Sequence, residues 1–263
     1  MRLVSVFALA AALTSFAGAF QPPTPPETAP VPIPVPDGPV IHKAELDGGL
    51  LVEDLVIGTG YEVKEQGAVV ALYHGTLKAT GKVFDSAFER GKPIAFSLNG
   101  VILGWQKGVP GMKVGGVRRL TIPAAMAYGD RAMGPDLPAN SDLVFVIQLT
   151  DALQVEDIAP GEGEAATARC VPATAHTIKV NGEVVETTTA ARPFIWLPGE
   201  VNAPGTQFDA MQAALAGMKV GGKRRIHVPA EMNHAPPQLQ VKRPQGVDLE
   251  IEAELIAVRN LPG

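Results

Sequence analysis

The sequence predicts an α+β fold in two tandem copies, each an antiparallel β-sheet wrapped over one short helix. Two observations lead to this prediction: one long string of residues recurs, and each copy is rich in strand-like segments but poor in helix-like ones. The 263 residues suffice for two domains of ordinary size. With 46% hydrophobic and 19% charged residues, the composition is that of a folded protein and excludes a disordered polyelectrolyte.

The repeat is the strongest internal signal. GMKVGGVRR at residues 111–119 recurs as GMKVGGKRR at residues 217–225, an offset of 106 positions. Solenoid repeats have periods of ~20–50 residues and several copies, so this repeat indicates two tandem domains instead. We therefore expect domain one at residues 44–153 and domain two at residues 154–263, with almost no linker between them.

Domain one consists mainly of strand-like segments that are rich in β-branched and aromatic residues or alternate apolar with polar residues. They include Ala68–Leu77, Val117–Ile122 and Asp142–Leu149. One helix is predicted at Val101–Gly108, because Val101 and Trp105 lie one turn apart and a glycine follows soon after as a stop signal. The connections are too short for repeated parallel βαβ units, which predicts antiparallel pairing.

The first 19 residues are predicted to be a secretory signal peptide. Arg2 precedes an apolar run, and the small residues Ala17-Gly18-Ala19 provide a cleavage pattern. A transmembrane helix is the weaker interpretation, because Thr14 and Ser15 interrupt the run before it reaches the ~20 residues that a span needs. We therefore expect an exported protein, periplasmic or secreted, without a membrane span.

Residues 20–43 are predicted to be a proline-rich linker. They include the string QPPTPPETAPVPIPVPDGP, whose prolines favour an extended polyproline II conformation. We interpret this segment as a spacer. The alternative is a docking ligand for an aromatic-lined groove on another protein.

Charge and motif content exclude several classes of function. The net charge of −5 lacks the positive excess that nucleic acids require, so we expect no nucleic-acid partner. The five histidines lack metal-ligand spacing and Cys170 is the single cysteine, so we expect no metal site. The sequence also lacks a nucleophile elbow, a P-loop and a dinucleotide fingerprint, and we expect no cofactor.

Several strings of domain one occur together in the order and spacing of one known family. They are VVALYHG (69–75), GKVFDS (81–86), VILGW (101–105), AYG (127–129) and PANSDLVF (138–145). Through these strings, domain one resembles the FKBP-type peptidyl-prolyl cis-trans isomerase family over its whole length. The resemblance of domain two rests on the repeat.

This resemblance implies a pocket between the sheet and the helix that binds a proline ring. Trp105 would form the floor, Tyr128 would donate its hydroxyl to a peptide oxygen, and Asp85 would be the acid of the pocket. The implied catalytic residues are Tyr73, Phe84, Asp85, Trp105, Tyr128 and Phe145. The implied substrate-binding residues are Arg90, Ile94, Phe96, Val101, Ile102, Met133 and Leu137.

The resemblance also implies the activity and the partners. The activity would be isomerisation of X-Pro bonds in unfolded or extended polypeptides, and a proline-mimicking macrolide is a candidate ligand. Rotation about an X-Pro bond meets a barrier of ~20 kcal/mol but makes and breaks no covalent bond. A site that binds the twisted form best needs no nucleophile, metal or cofactor. The alternative is a peptide-binding or holdase protein with little turnover.

Domain two is expected to lack this pocket and to be a degenerate module that binds a partner or buttresses domain one. Its alignment rests on the repeat, on placing His176 at the position of His74 and on placing Gly182 at the position of Gly81. The inferred substitutions are Ala175 for Tyr73, Val185 for Phe84, Glu186 for Asp85, Met211 for Trp105, His234 for Tyr128 and Ile251 for Phe145.

Overall fold

The computed structural model of the protein contains two antiparallel sheets, one in each half of the chain. It describes residues 31–167, 169–196, 207–233, 244 and 246–261. The predicted signal peptide and the part of the proline-rich linker up to residue 30 lie outside these residues. The predicted α+β architecture in two tandem copies is confirmed.

Domain one has seven strands and one α-helix among its described residues. The strands are β1 (His42–Leu46), β2 (Leu50–Val56), β3 (Ala68–Leu77), β4 (Val83–Ser86), β5 (Ile94–Ser97), β6 (Val117–Ile122) and β7 (Leu143–Ala152), and the helix is α1 (Leu103–Gly108). Their order across the sheet is β1-β2-β6-β7-β3-β4, and β5 pairs with β3. Strand β1 begins two residues before the expected start of domain one at residue 44.

Helix α1 begins two residues later than the sequence predicts. Val101 and Ile102 have ψ values of 172° and 151°, so both are extended rather than helical. The helix lies close to β6, because a Cβ at Gly108 would stand only 2.7 Å from Leu120 Cδ2. The glycine therefore permits the close approach that buries Trp105 between helix and sheet.

Domain two repeats this arrangement. Its elements are β8 (Gln154–Ala159), β9 (Cys170–Val180), β10 (Glu183–Thr187), β11 (Phe194–Ile195), α2 (Gln207–Leu215), β12 (Lys223–Val228) and β13 (Leu249–Asn260), with a 3-10 turn at Ala230–Met232. The order β10-β9-β13-β12-β8, with β11 paired to β9, matches β4-β3-β7-β6-β2 and β5 of domain one. Neither α1 nor α2, the two described α-helices, is long and apolar enough to cross a membrane.

The repeated string builds the same helix-to-sheet connection in both domains. Arg118 Nε donates to Asp54 Oδ1 at 2.6 Å, and its Nη1 donates to the carbonyl of the last residue of α1 at 2.7 Å. In domain two, Arg224 Nε donates to Asp157 Oδ1 at 2.6 Å, and its Nη1 donates to a carbonyl in the last turn of α2 at 2.6 Å. The repeat therefore preserves the framework of the fold rather than a binding site.

Part of the proline-rich segment packs on domain one instead of forming a free spacer. The amide of Ile33 donates to the carbonyl of Phe88 at 2.8 Å. The side chains of Ile33 and Val35 lie against the core of domain one, in which Phe88 is fully buried. Residues 31–36 thus form a strap over the loop between β4 and β5.

The two domains share a buried boundary. A single residue, Leu153, separates β7 from β8. Leu153, Ala68, Val70 and Ala95 belong to one hydrophobic cluster with side chains of domain two. Helix α2 and the 3-10 turn of domain two both lie against β5. The outer face of β3 and β5 is therefore covered by the second copy of the fold.

A polar contact also crosses this boundary. His227 on β12 lies with Nε2 3.9 Å from Asp151 Oδ2 of domain one and with Nδ1 2.8 Å from Glu250 Oε1. The carboxylates of Asp151 and Glu250 raise the pKa of His227 from 6.5 to about 9, although partial burial opposes the shift. His227 is therefore protonated in the folded protein at neutral pH.

We expect this contact to make the free energy of unfolding depend on pH. Because the folded pKa is raised, the stabilisation is complete below pH 6.5 and is lost as the pH rises through about 9. His227→Gln should lower stability at the acidic end of this window and have little effect at its alkaline end. Urea unfolding of both proteins across the window measures the difference, and a constant difference would contradict the assignment.

Candidate functional site

Five aromatic side chains of domain one meet above helix α1. The ring of Trp105 has centroid distances of 5.8 Å to Tyr73, 5.3 Å to Phe96 and 5.4 Å to Phe145, all edge to face. Phe84 extends the group, with its centroid 5.5 Å from that of Phe145. Edge-to-face contacts are a favoured aromatic geometry. These five rings form one continuous apolar surface, which we call the aromatic surface.

Gly75 on β3 leaves the space that two of these rings occupy. A Cβ at this position would lie 2.6 Å from Phe84 Cζ and 2.9 Å from Phe145 Cε1. Gly75 pairs with Phe145, as Ile178 pairs with Ile251 in domain two, so Ile178 is its counterpart. Sequence reasoning missed Gly75, and the glycine-to-isoleucine difference between the two copies is the signal that could have found it.

One carboxylate lies at the edge of the aromatic surface. Asp85 accepts hydrogen bonds from the Tyr73 hydroxyl and, at 2.5 Å, from Arg90 Nη1. Arg90 Nη2 also donates to the Tyr73 hydroxyl oxygen at 2.8 Å. Burial and the hydrogen bond to Asp85 raise the pKa of Tyr73 to about 12. The three side chains fix one another, and Tyr73 remains a protonated donor.

Tyr128 has a different environment. Its hydroxyl makes no hydrogen bond to any residue in the described ranges. The ring packs against the core of domain one. Burial, followed by the charge of Asp85, raises the pKa of Tyr128, so the hydroxyl stays protonated. It can therefore donate a hydrogen bond to a ligand.

The backbone before α1 offers a second donor. Gln106 Nε2 donates to the carbonyl of Val101 at 2.8 Å, and the amides of Trp105 and Gln106 donate to the carbonyl of Ile102. These bonds fix the extended conformation of Val101 and Ile102. Within the described part of the chain, the amide of Ile102 itself has no partner.

The remaining predicted site residues differ in exposure. Ile94 is half-buried and packs against the core, as do Val101 and Ile102. Leu137 is buried, whereas Met133 is 55% exposed. The amide of Met133 donates a hydrogen bond of 2.9 Å to the carbonyl of Leu137, which holds together the ends of the loop at residues 133–137. Met133 thus lies at the surface while Leu137 contributes to the core.

The site combines an apolar floor with two free donors and one acceptor. An apolar ring of a ligand can pack against the aromatic surface and so be removed from water. A carbonyl group next to this ring can accept a hydrogen bond from the Tyr128 hydroxyl or from the Ile102 amide. No three His, Cys, Asp or Glu side chains among the described residues are arranged as metal ligands. The geometry defines a site for an uncharged apolar ring next to a peptide carbonyl.

In domain two, His176 occupies the position of Tyr73, so the alignment that placed Ala175 there was wrong. The carbonyls of Tyr73 and His176 each accept a 2.8 Å hydrogen bond from the first residue after the adjacent strand, β4 or β10. Matching His176 to His74 shifts β9 by one residue. A shift of one residue turns every side chain of a strand to the opposite face of the sheet. The match between the two histidines therefore gave the wrong register, because their side chains lie on opposite faces of their strands.

His176 belongs to a buried polar network. Its Nε2 lies 3.0 Å from Glu186 Oε1, and its Nδ1 lies 2.9 Å from Thr174 Oγ1. Trp196 Nε1 also donates to Thr174 Oγ1 at 3.0 Å. The side chain of His176 is fully buried. An imidazole–carboxylate pair therefore stands where domain one has the pair of Tyr73 and Asp85.

The register of β10 agrees with the inferred position of Glu186. Glu186 pairs with Ile178 as Asp85 pairs with Gly75, which also places Val185 at the position of Phe84. The side chains of Met211 and Ile251 are fully buried. The inferred replacement of Tyr128 by His234 lies outside the described residues. Non-aromatic side chains thus replace Phe84, Trp105 and Phe145, whereas the rings of Phe194 and Trp196 lie beside His176 in domain two.

Comparisons with known proteins show which proteins this chain is similar to. A family model described as FKBP-type peptidyl-prolyl cis-trans isomerase matches residues 60–150 and 168–256. A probable FK506-binding protein of Corynebacterium glutamicum is 47% identical over 103 residues, which are 39% of this chain and 86% of that protein. A peptidyl-prolyl cis-trans isomerase of Saccharomyces cerevisiae is 50% identical over 113 residues, covering 41% of this chain and 27% of that protein. The crystal structure of FkpA from Escherichia coli has 41% identity and a TM-score of 0.39, covering 42% of this chain and 51% of that one.

The chain belongs to the FKBP-type peptidyl-prolyl cis-trans isomerase family, and it contains the family's domain twice. The match spans most of the C. glutamicum relative but only about a quarter of the S. cerevisiae one.

Proposed function

We propose that domain one catalyses cis–trans isomerisation of X-Pro bonds in unfolded or extended polypeptides, and that its clients are exported proteins. The observation that supports the catalytic part most directly is the aromatic surface beside Tyr128, whose hydroxyl has no hydrogen-bond partner among the described residues. The predicted signal peptide at residues 1–19 supports a periplasmic or secreted location.

In this proposal, the proline ring of the substrate packs on Trp105. The carbonyl group of the residue before the proline then loses its contact with water. Planar amides are stabilised by resonance, which is lost as the bond twists. An apolar site that strips water from the carbonyl favours the less polar twisted form over both planar isomers. Hydrogen bonds from Tyr128 and the Ile102 amide fix the peptide on either side of the proline. The bonds among Tyr73, Asp85 and Arg90 keep the surface from reorganising during the rotation.

The same surface suits a proline-mimicking macrolide. A rigid ligand of this kind presents an apolar ring and carbonyl acceptors without the conformational entropy of a peptide. The name of the C. glutamicum relative states binding to FK506, which supports a ligand of this class for domain one.

The activity of the full chain tests this proposal. A short X-Pro peptide should relax faster in its presence, without added metal or nucleotide. Tyr128→Phe should lower kcat/KM by no more than about 30-fold, because one hydrogen bond contributes up to ~2 kcal/mol. Tyr61→Phe is the matched control: the Tyr61 hydroxyl accepts from the amide of Val155 at 3.3 Å, at the domain boundary. It should leave kcat/KM unchanged.

Relaxation rates that are equal with and without folded protein would contradict the proposal. Peptide binding without acceleration would favour the alternative of a holdase with little turnover.

A further inference from the structure

Strand β5 carries two residues of the site, Ile94 and Phe96, but it has few backbone constraints. It is four residues long and pairs with β3 alone among the described strands. The backbone pairing does little to prevent β5 from moving out of the plane of the sheet. Its position in that direction therefore depends on the side chains that pack against its two faces. Ile94 and Phe96 contact the core of domain one on the inner face. Ala95 lies between them and points to the outer face, since side chains alternate along a strand.

Domain two packs against this outer face. Ala95 is 9% exposed and belongs to the hydrophobic cluster that contains Ala210 and Ala214 of α2. Helix α2 and the 3-10 turn at Ala230–Met232 both lie against β5. The methyl side chain of Ala95 allows a close approach of helix and strand. A larger side chain at this boundary would have to displace one of them.

Among the described residues, no helix or 3-10 turn covers the equivalent strand of domain two in this way. Ile195 occupies the position of Ala95, because Ile195 pairs with Ala173 on β9 as Ala95 pairs with Val70 on β3. Ile195 is 54% exposed. The same face is therefore open to solvent in one copy of the fold and covered by the other copy in domain one.

We propose that domain two forms the back wall of the isomerase site, with α2 packing on Ala95 and so fixing β5 and the ring of Phe96. The inference rests on the function proposed for domain one. Ala95 is a positioning residue, because it acts through Phe96 rather than by touching the substrate. The ring of Phe96 lies 5.3 Å from Trp105 and 5.6 Å from Tyr73, centroid to centroid, so a shift of β5 changes the aromatic surface directly.

Three variants of the full chain test the inference. Ala95→Leu and the smaller change Ala95→Val should each lower kcat/KM for an X-Pro peptide, the leucine variant by about tenfold or more, since displacements of ~1 Å in a site have effects of this size. Both should weaken binding of a proline-mimicking macrolide by a similar factor. Ile195→Leu introduces the same side chain at the equivalent position of domain two and should change neither quantity.

Hydrogen exchange provides a readout that does not depend on activity. Amides within residues 94–97 should exchange faster in Ala95→Leu and Ala95→Val, whereas those of β6 should be unchanged. If Ala95→Leu does not fold, the smaller change Ala95→Val decides the question. If the unmodified chain lacks isomerase activity, the proposed function fails, and exchange and macrolide affinity still decide the inference. Unchanged exchange at residues 94–97 in folded variants would overturn it.

Discussion

Replacing Gly75 by isoleucine, the residue at the same position in domain two, is expected to abolish isomerase activity and macrolide binding. Even a single Cβ at this position would stand 2.6 Å from Phe84 Cζ and 2.9 Å from Phe145 Cε1. Contacts this short cannot persist, so one or both rings must leave the aromatic surface. The substitution should place an isoleucine in domain one where domain two has the buried Ile178, and so disrupt the aromatic surface. Activity, macrolide affinity and thermal unfolding of the variant measure the effect.

Thr76→Ile is the matched control for this substitution. Its side chain points to the opposite face of β3, so an isoleucine at this position should leave the aromatic surface in place. If Gly75→Ile does not fold, Gly75→Ala introduces the Cβ alone. A folded variant of either kind that retains kcat/KM within a few-fold of the original would contradict the arrangement of the site.

Replacing Arg118 by methionine is expected to lower the free energy of unfolding by about 3 kcal/mol or more. The substitution leaves the carboxylate of Asp54 without the charge that compensates it, and removal of one partner of a buried pair costs ~3–5 kcal/mol. The side chain of Asp54 is 9% exposed, and His42 Nδ1 at 3.4 Å is its other ion-pair contact among the described residues. Urea unfolding measures the loss.

The second copy of the fold supplies the control for this experiment. Arg224→Met removes the equivalent guanidinium, but the side chain of its partner Asp157 is 67% exposed and stays hydrated. The loss should therefore be clearly smaller than for Arg118→Met, because exposed ion pairs contribute ~1 kcal/mol or less. Equal losses in the two variants would show that burial of Asp54 does not determine the effect.

The sequence predicted the features that reside in short contiguous strings. Strand β3 was predicted with its observed bounds, because ten adjacent residues carry the signal. Trp105 was predicted to lie on a helix, and α1 contains it, although the extended backbone of Val101 and Ile102 delays the start of this helix. Arg118 and Arg224 were recognised as part of a repeat. Their shared role at the end of the helix was not predicted, because it depends on contacts that are visible only in the folded structure.

The features that were missed depend on segments distant in sequence. The role of Gly75 follows from rings on β4 and β7, and the register that brings His176 to the position of Tyr73 follows from pairing along β9. Packing of Ile33 against Phe88 could not be inferred, because a polyproline II segment has the same sequence signature whether it is free or docked. Ala95 carries no signal as a boundary residue until domain two is placed behind it.

The single-residue connection between β7 and β8 also determines how the protein is degraded. Leu153 is 4% exposed, and its amide donates to the carbonyl of Ala68 at 2.9 Å. Proteases cut extended, exposed segments, so cleavage between the domains requires that the strands on either side unfold first. We therefore expect the two copies to share one lifetime under proteolysis. Damage to domain two, which lacks the aromatic surface, shortens the survival of the domain that carries it.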